Sequence, residues 1–208
     1  MDIKVLCHSS IKINTEDRVI YIDPFRIKEE THDADIIAIT HSHYDHFSEE
    51  DINKVKNERT KILVTMDLLD RTLELGFNKE NITVVVPNNT YRVFDIEINT
   101  IPSYNIDKKF HPKENNWVGY ILTLENKKIY IAGDTDITEE NMKVKCDIAL
   151  IPVGGTYTMT HKEAAYLINN IKPEVSIPTH YGEIVGEKQD GIEFSKLIDK
   201  NIKVEIQI

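Results

Sequence analysis

The stretch Ile36–His46, IIAITHSHYDH, places three histidines and one aspartate directly after a run of β-branched residues. Ile36, Ile37 and Ile39 are typical of a buried strand, so the cluster lies on the loop that leaves its carboxyl end. Neutral imidazoles and carboxylates are the ligands that Zn²⁺ takes in catalytic sites. One tetrahedral ion does not accept so many ligands from one short loop, which favours two adjacent metals over a solvated histidine-rich loop. The candidate ligands are His41, His43, Asp45 and His46.

Two later segments continue this pattern. Asp134 closely follows an apolar strand at residues 128–132, and His180 follows another at 175–178. Each segment comes after a predicted strand, so all of them can converge at one edge of a sheet. The order His-x-His-x-Asp-His, Gly-Asp and a final histidine resembles the signature of the metallo-β-lactamase superfamily. Among its members, the small metal-dependent hydrolases of the ascorbate phosphate lactonase-like branch are similar in size and motif.

The resemblance implies a fold and a ligand set. The implied fold class is α/β, a four-layer αβ/βα sandwich. Residues 1–208 would form a single metallo-β-lactamase-like domain built of two similar halves, with metals at the sheet edges between the halves. The implied cofactors are two divalent metal ions, zinc or alternatively manganese. With His111 in place of the signature's third histidine, we expect one ion to be bound by His41, His43 and His111 and the other by Asp45, His46 and His180, with Asp134 bridging them.

The third histidine of the signature has two candidate replacements. The resemblance places it soon after a strand such as 97–101, where this chain has Ser-Tyr-Asn at 103–105. His111, in the irregular segment Phe-His-Pro-Lys at 110–113, can fold back to the first metal. Alternatively, the side-chain oxygen of Asn105 serves as a weak ligand. Without either, the first site would bind its ion weakly, and a single strongly bound metal is conceivable.

Two metals that share one water lower its pKa to about 7 and create a hydroxide nucleophile. The sequence therefore predicts a metal-dependent hydrolase that attacks an ester, lactone or phosphoester bond of a small, anionic substrate. Asp45 and Asp134 are the predicted catalytic carboxylates, and His8 or Tyr181 is a candidate proton donor to the leaving group.

Two other functions stay open. The departure at 103–105 is compatible with a non-catalytic metal- or ligand-binding protein on the same scaffold. The tyrosine at position 44 also resembles the His-Asn-His-Tyr-Asp-His motif of phosphodiesterases of the N-acyl-phosphatidylethanolamine phospholipase D type.

Several residues near the motifs have two interpretations. Asp23 either accepts the spare N–H of a ligating imidazole or closes a turn before Pro24. Asp136, in the same turn as Asp134, either belongs to the site or, with Thr135, caps a short helix that begins near Thr138, and the structural role is expected. Three lysines of the irregular segment either contact an anionic substrate or form a solvated face, and these are Lys108, Lys109 and Lys113.

Composition limits the partners. The formal net charge of −10 disfavours nucleic acid, which is bound through lysine and arginine. No apolar run approaches the ~20 residues of a membrane span, and the amino terminus lacks the pattern of a signal peptide. Cys7 and Cys146 are expected to be reduced thiols of a cytoplasmic protein. We therefore expect a small-molecule substrate, no nucleic acid and no membrane partner, with homo-oligomers left open.

Hydrophobic periodicity predicts strands broken by polar turns, with helices between some of them. A helix is expected after the capping residue Ser48, and others at 66–75, 161–171 and 192–199. Strands are expected at 3–7, 11–14, 18–22, 36–39, 61–64, 82–86, 91–94, 96–101, 119–124, 128–132, 146–153, 175–178 and 202–206.

Overall fold

Two β-sheets form the framework of the protein. The computed structural model describes residues 1–208, which divide into unit 1, Met1–Val86, and unit 2, Pro87–Ile208. Each unit has its own sheet and its own buried apolar cluster. No helix in the chain combines the length and the apolar character needed to cross a lipid bilayer.

Unit 1 is a six-stranded mixed sheet whose strands lie side by side in chain order. Its elements are β1 (Asp2–Cys7), β2 (Ser10–Asn14), β3 (Val19–Ile22), β4 (Ile36–Ala38), α1 (Glu49–Val55), β5 (Lys61–Thr65), α2 (Leu69–Glu74) and β6 (Ile82–Val85). β1 to β3 are antiparallel, whereas β3 to β6 are parallel. Since β3 and β4 run in the same direction, the residues that follow these two strands meet at one edge of the sheet.

Helix α1 is set by its cap and by its apolar face, as the sequence predicts. The Ser48 side chain accepts a hydrogen bond from the Asp51 N–H, and Ile52 and Val55 are fully buried. The helix predicted at 66–75 is a turn of 3₁₀-helix followed by α2, and it ends at Gly76, whose φ is +83°.

Unit 2 is a seven-stranded mixed sheet in which β11 to β13 are added to one side of a meander formed by β7 to β10. Its elements are β7 (Thr90–Val93), β8 (Ile96–Pro102), β9 (Val118–Leu124), β10 (Lys127–Ile131), β11 (Ile148–Pro152), α3 (His161–Ile171), β12 (Val175–Thr179), α4 (Lys188–Leu197) and β13 (Lys203–Val204). β7 to β10 are antiparallel and β10 to β13 are parallel. The parallel set brings the residues after β10, β11 and β12 to one edge.

The carboxyl-terminal elements differ from the predicted bounds. The helix predicted at 192–199 is α4, which begins four residues earlier because Glu187 and Asp190 form a reciprocal cap. It includes Gly191, which lies against the Tyr181 ring so closely that a Cβ would overlap it. The last strand, predicted at 202–206, is limited to the two residues of β13.

Candidate metal centre

The loop after β4 carries the predicted ligands of unit 1. β4 is fully buried, and the Ile39 N–H donates to the Leu63 carbonyl at 2.9 Å, which fixes the start of the loop. The N–H groups of His46 and Phe47 both donate to the His43 carbonyl, at 3.0 and 2.8 Å. This tight turn folds the motif back on itself within four residues.

His41 and His43 direct nitrogen atoms toward each other. His41 Nε2 lies 3.0 Å from His43 Nδ1, and the ring centroids are 4.6 Å apart. Two nitrogen ligands of one tetrahedral zinc ion, each at about 2.0–2.1 Å, lie about 3.3 Å from each other. The observed spacing therefore fits a pair of ligands to one ion.

Asp23 and Thr40 lie behind the ligand histidines. The Asp23 carboxylate accepts from the Thr40 N–H at 2.8 Å, from the Thr40 hydroxyl at 2.6 Å and from His46 Nδ1 at 2.7 Å. Since the hydroxyl donates its proton to Asp23, it accepts from His41 Nδ1, which is 3.0 Å away. Both rings are thus protonated on Nδ1, and Nε2 carries the lone pair that a metal requires. Asp23 therefore orients a histidine and does not merely close a turn.

Burial raises the pKa of Asp23, and the hydrogen bonds from His46 and Thr40 oppose that rise. The backbone of Asp23 is left-handed, with φ at +46°, although the residue is not glycine. Its N–H donates to the Ala38 carbonyl at 3.1 Å, which ties the turn to β4. The position of the carboxylate is therefore fixed both by the backbone hydrogen bond of Asp23 and by the hydrogen bonds of its side chain.

His8 lies beside the second pair of predicted ligands. It is fully buried, and its Nε2 is 3.3 Å from Asp45 Oδ2. The same carboxylate oxygen lies 3.6 Å from His46 Nε2. His8 is thus a neighbour of Asp45, and one carboxylate oxygen lies near two imidazoles.

The predicted ligands of unit 2 gather around Asp134. Asp134 Oδ2 lies 2.9 Å from His180 Nε2 and 3.3 Å from His111 Nε2, and all three side chains are buried. Asp134 follows β10 and His180 follows β12, so the parallel pairing of these strands through β11 brings both to one edge. His180 is left-handed, with φ at +58°.

His111 reaches Asp134 because the irregular segment folds back on itself. The backbone N–H of Asn105 donates to the His111 carbonyl at 2.8 Å, and the His111 N–H donates to Asn105 Oδ1 at 3.1 Å. The Ser103 hydroxyl donates to the Asp134 carbonyl at 2.8 Å, which ties the start of the segment to the aspartate loop. Of the two candidate third ligands, His111 is the one whose side-chain nitrogen faces Asp134, whereas the Asn105 oxygen faces His111.

The sequence profile of the β-lactamase superfamily domain matches residues 2–180. The chain is 32% identical to a UPF0173 metal-dependent hydrolase of Methanosphaera stadtmanae, over 97% of this chain and 93% of the relative. A UPF0173 metal-dependent hydrolase of Thermococcus onnurineus is 30% identical, over 97% and 94%. This chain belongs to the metallo-β-lactamase superfamily.

A solved structure from Parabacteroides distasonis, named as a metal-dependent hydrolase, superposes with a TM-score of 0.81 at 31% identity and covers 98% of this chain and 91% of that one. These likenesses place the chain among the metal-dependent hydrolases of the metallo-β-lactamase superfamily. They confirm the predicted superfamily, the α/β sandwich fold class and the enzyme class.

The donor groups fit divalent metal ions of the kind that this superfamily binds. The predicted ligands are imidazoles and carboxylates, the set that zinc takes in catalytic sites. His43 is half-buried and the other predicted ligands are buried, so their polar atoms are largely withdrawn from solvent. The orienting groups behind His41 and His46 are typical of ligating histidines.

Two of the three lysines of the irregular segment are held in ion pairs. Lys108 bonds the Asp136 carboxylate, and Lys113 lies 2.9 Å from Glu140 and 3.2 Å from the Tyr104 hydroxyl. Lys108 is partly buried and helps to hold the segment in place, whereas Lys113 is paired but remains exposed to solvent. Lys109 is exposed.

Asp136 is structural, but the expected helix cap is wrong. Its carboxylate accepts the Ile106 N–H at 3.0 Å, so it holds the segment that carries His111. The short helix is a 3₁₀ turn, Asn141–Lys143, without a side-chain cap, and just before it Thr138 and Asn141 hydrogen-bond reciprocally at 2.9 and 3.1 Å.

Tyr181 packs in the hydrophobic cluster of unit 2 and is fully buried, and burial raises its pKa. That position suits packing better than proton donation.

Thr40 is the orienting residue that sequence reasoning missed. A hydroxyl between a buried strand and the first ligand was its one signal.

Proposed function

We propose that the protein is a lactonase-like metal-dependent hydrolase that cleaves an ester, lactone or phosphoester bond of a small, anionic substrate. One observation carries the proposal. A single carboxylate oxygen of Asp134 lies between two imidazole nitrogens, those of His111 and His180, which is the arrangement expected of a bridging ligand. The family membership supports the same class of reaction.

The proposed cofactor is a pair of divalent ions, zinc or alternatively manganese. The short distance between ligand atoms of His41 and His43 supports their sharing one ion. The shared neighbourhood of Asp45 and His46 supports the second. We assign one ion to His41, His43 and His111, the other to Asp45, His46 and His180, and the bridge to Asp134.

When bound, such a pair of ions lowers the pKa of water and neutralises the negative charge that develops on the reacting group. The protein's own groups prepare the site. Asp23 and Thr40 keep the ligand nitrogens of His41 and His46 unprotonated. We assign to His8 the delivery of a proton to the leaving group, because its Nε2 is buried 3.3 Å from Asp45 Oδ2.

The proposal also includes the type of substrate and the location of the protein in the cell. The net charge of −10 supports a small molecule over a nucleic acid as the substrate. Both cysteines are free thiols, which supports a cytoplasmic location.

The test combines metal analysis with turnover. Protein stripped with a chelator is reloaded with zinc or manganese, and bound metal is counted by mass spectrometry. A neutral lactone, a neutral aryl ester and an anionic phosphodiester are then assayed. We expect two ions per chain, turnover that the chelator abolishes, and faster cleavage of the anionic substrate.

Asp134→Asn should lower kcat/KM by roughly a hundredfold or more, because the bridging ligand is lost. Asp95→Asn, an exposed carboxylate of the same unit, is the matched control and should behave as the unaltered protein. Turnover that survives metal removal, or that Asp134→Asn leaves unchanged, contradicts the proposal. Metal-loaded protein that cleaves none of the three bonds would indicate a binding protein instead.

A further inference from the structure

Asn105 makes a compact set of hydrogen bonds directed at His111 and at one neighbouring loop. Its side chain is buried, and Oδ1 lies 3.1 Å from the His111 backbone nitrogen and 3.0 Å from His111 Nδ1. Nδ2 donates to the Tyr157 carbonyl at 2.9 Å, and the backbone N–H donates to the His111 carbonyl at 2.8 Å. Every polar group of this side chain is therefore engaged.

These partners fix which end of the amide is oxygen. The His111 backbone N–H can only donate, so the atom that faces it is the amide oxygen. The Tyr157 carbonyl can only accept, so the atom that faces it is the amide nitrogen. A flipped amide would lose both bonds and place like groups together, which excludes the alternative assignment.

The orientation of the amide fixes the proton on His111. An amide oxygen accepts and does not donate, so the ring nitrogen at 3.0 Å, Nδ1, carries a hydrogen. In the neutral ring the lone pair is then on Nε2, the nitrogen that lies 3.3 Å from Asp134 Oδ2. The Trp117 ring supports the imidazole edge-on, with centroids 5.6 Å apart.

We propose that Asn105 is the positioning residue of His111: it selects the ring's Nδ1–H form and aims Nε2 at the metal beside Asp134. The inference rests on the proposed function in one respect, since His111 must be a ligand for the selection to matter. In this chain the residue at the position where the resemblance places a ligand contacts His111 instead, and His111 lies six residues later.

The protonation of His111 can be read directly by nitrogen-15 NMR of protein labelled at histidine, with the His111 signals identified by their loss in His111→Gln. We expect Nδ1 to carry a proton with and without zinc, and Nε2 to lack one once zinc is added. Asn105→Ala should remove that preference and give a mixture of ring forms. Asn105→Asp, whose carboxylate keeps both acceptor contacts, should restore Nδ1–H.

Zinc affinity, measured against a chelating dye, gives the second readout. Loss of the orienting group in Asn105→Ala should weaken the site that contains His111 by roughly 10–100-fold, and Asn105→Asp should recover most of it. Asn141→Ala is the matched control, because this buried amide also holds a loop of unit 2 but does not contact His111. It should lower stability without changing the ring form or the zinc affinity.

The inference is overturned if Nδ1 is unprotonated in the unaltered protein, if Asn105→Ala leaves the ring form or the zinc affinity unchanged, or if Asn141→Ala reproduces both changes. The ring form is measured without substrate. A failure of the hydrolysis assays would therefore not affect this measurement, and the two results can be distinguished.

Discussion

Asp23→Asn should weaken metal binding by reversing the proton positions on two histidines. The carboxylate accepts three hydrogen bonds from Thr40 and His46, whereas an amide can place an oxygen at one position and must place an NH₂ at the other. With the oxygen kept at the Thr40 N–H, the NH₂ faces the Thr40 hydroxyl and His46 Nδ1. His46 then accepts at Nδ1 and carries its proton on Nε2.

The change passes on to His41 through Thr40. The Thr40 hydroxyl now accepts from the amide, so it gives its own proton to His41 Nδ1, 3.0 Å away. In the variant, each ring accepts a hydrogen bond at Nδ1 and carries its proton on Nε2. The ring must break that hydrogen bond before Nε2 can bind a metal. Loss of one orienting partner costs roughly 10–100-fold in affinity, or about 1.4–2.7 kcal/mol. Since two rings depend on Asp23, we expect the upper end, about a hundredfold.

Zinc competition with a chelating dye measures this loss. Asp51→Asn is the control, because Asp51 is another buried carboxylate of unit 1 that accepts backbone N–H groups, here at 2.8 Å from Arg26 and from Ile27. It should lower stability and leave zinc affinity unchanged. An affinity of Asp23→Asn within about threefold of the unaltered protein, or an equal loss in Asp51→Asn, refutes the proton-reversal mechanism.

Three further predictions concern stability. Asp51→Ala deprives two backbone N–H groups at 26–27 of their acceptor and should cost about 3 kcal/mol in denaturant unfolding at neutral pH; a loss below about 1 kcal/mol would contradict this. Burial alone would raise the pKa of Asp51, but hydrogen bonds from side chains and backbone lower it below its ordinary value. The stability that the Asp51 carboxylate contributes is therefore complete above about pH 4 and is lost as the pH falls through the folded-state pKa. Thr158→Val removes a buried hydroxyl that has no hydrogen-bond partner and should raise stability by about 1 kcal/mol, or Tm by about 2–4 °C, and a lower Tm by calorimetry would count against it. In Gly154→Ala the new Cβ would overlap the backbone carbonyl of His180, so both Tm and zinc affinity should fall, and unchanged zinc affinity would show that the loop adapts.

The strands and caps could be predicted because their causes are local. Alternating apolar residues bury one face of a strand, and the predicted strands match β1 to β12 within about two residues at either end. The helix predicted at 161–171 is α3, and Thr160 and Glu163 form a capping box at its start. Such signals need no knowledge of the rest of the chain.

The start of α4 could not be predicted, because its causes are not local. Glu187 is an uncommon capping residue, and Gly191 usually weakens a helix. Gly191 is tolerated because Tyr181, ten residues earlier, occupies the space that a side chain would fill. At Gly191, packing against Tyr181 outweighs the low helix propensity of glycine.

The same distinction between local and non-local causes applies to the candidate site. The order and type of the ligands can be read from the motif, because their spacing carries the chemistry. The pairing of Lys108 with Asp136, across 28 residues, and the fold-back that joins Asn105 to His111 depend on hydrogen bonds within an irregular segment. Periodicity contains no information about these bonds, so sequence reasoning left the third ligand and the lysines open.

Backbone conformation shows how firmly three side chains of the proposed site are placed. His8, Asp23 and His180 are left-handed, with φ of 54°, 46° and 58°, although none is glycine. Each such residue costs about 1–2 kcal/mol relative to the right-handed forms, and glycine would avoid the cost. Glycine would also remove an imidazole or a carboxylate, which is the group that each position contributes. A left-handed residue reverses the chain within one step of a strand end, so the side chain remains at the sheet edge. In each sheet the strain is therefore a consequence of fixing such a side chain at a strand end, and at Asp23 it persists because hydrogen bonds to Thr40 and His46 hold the turn.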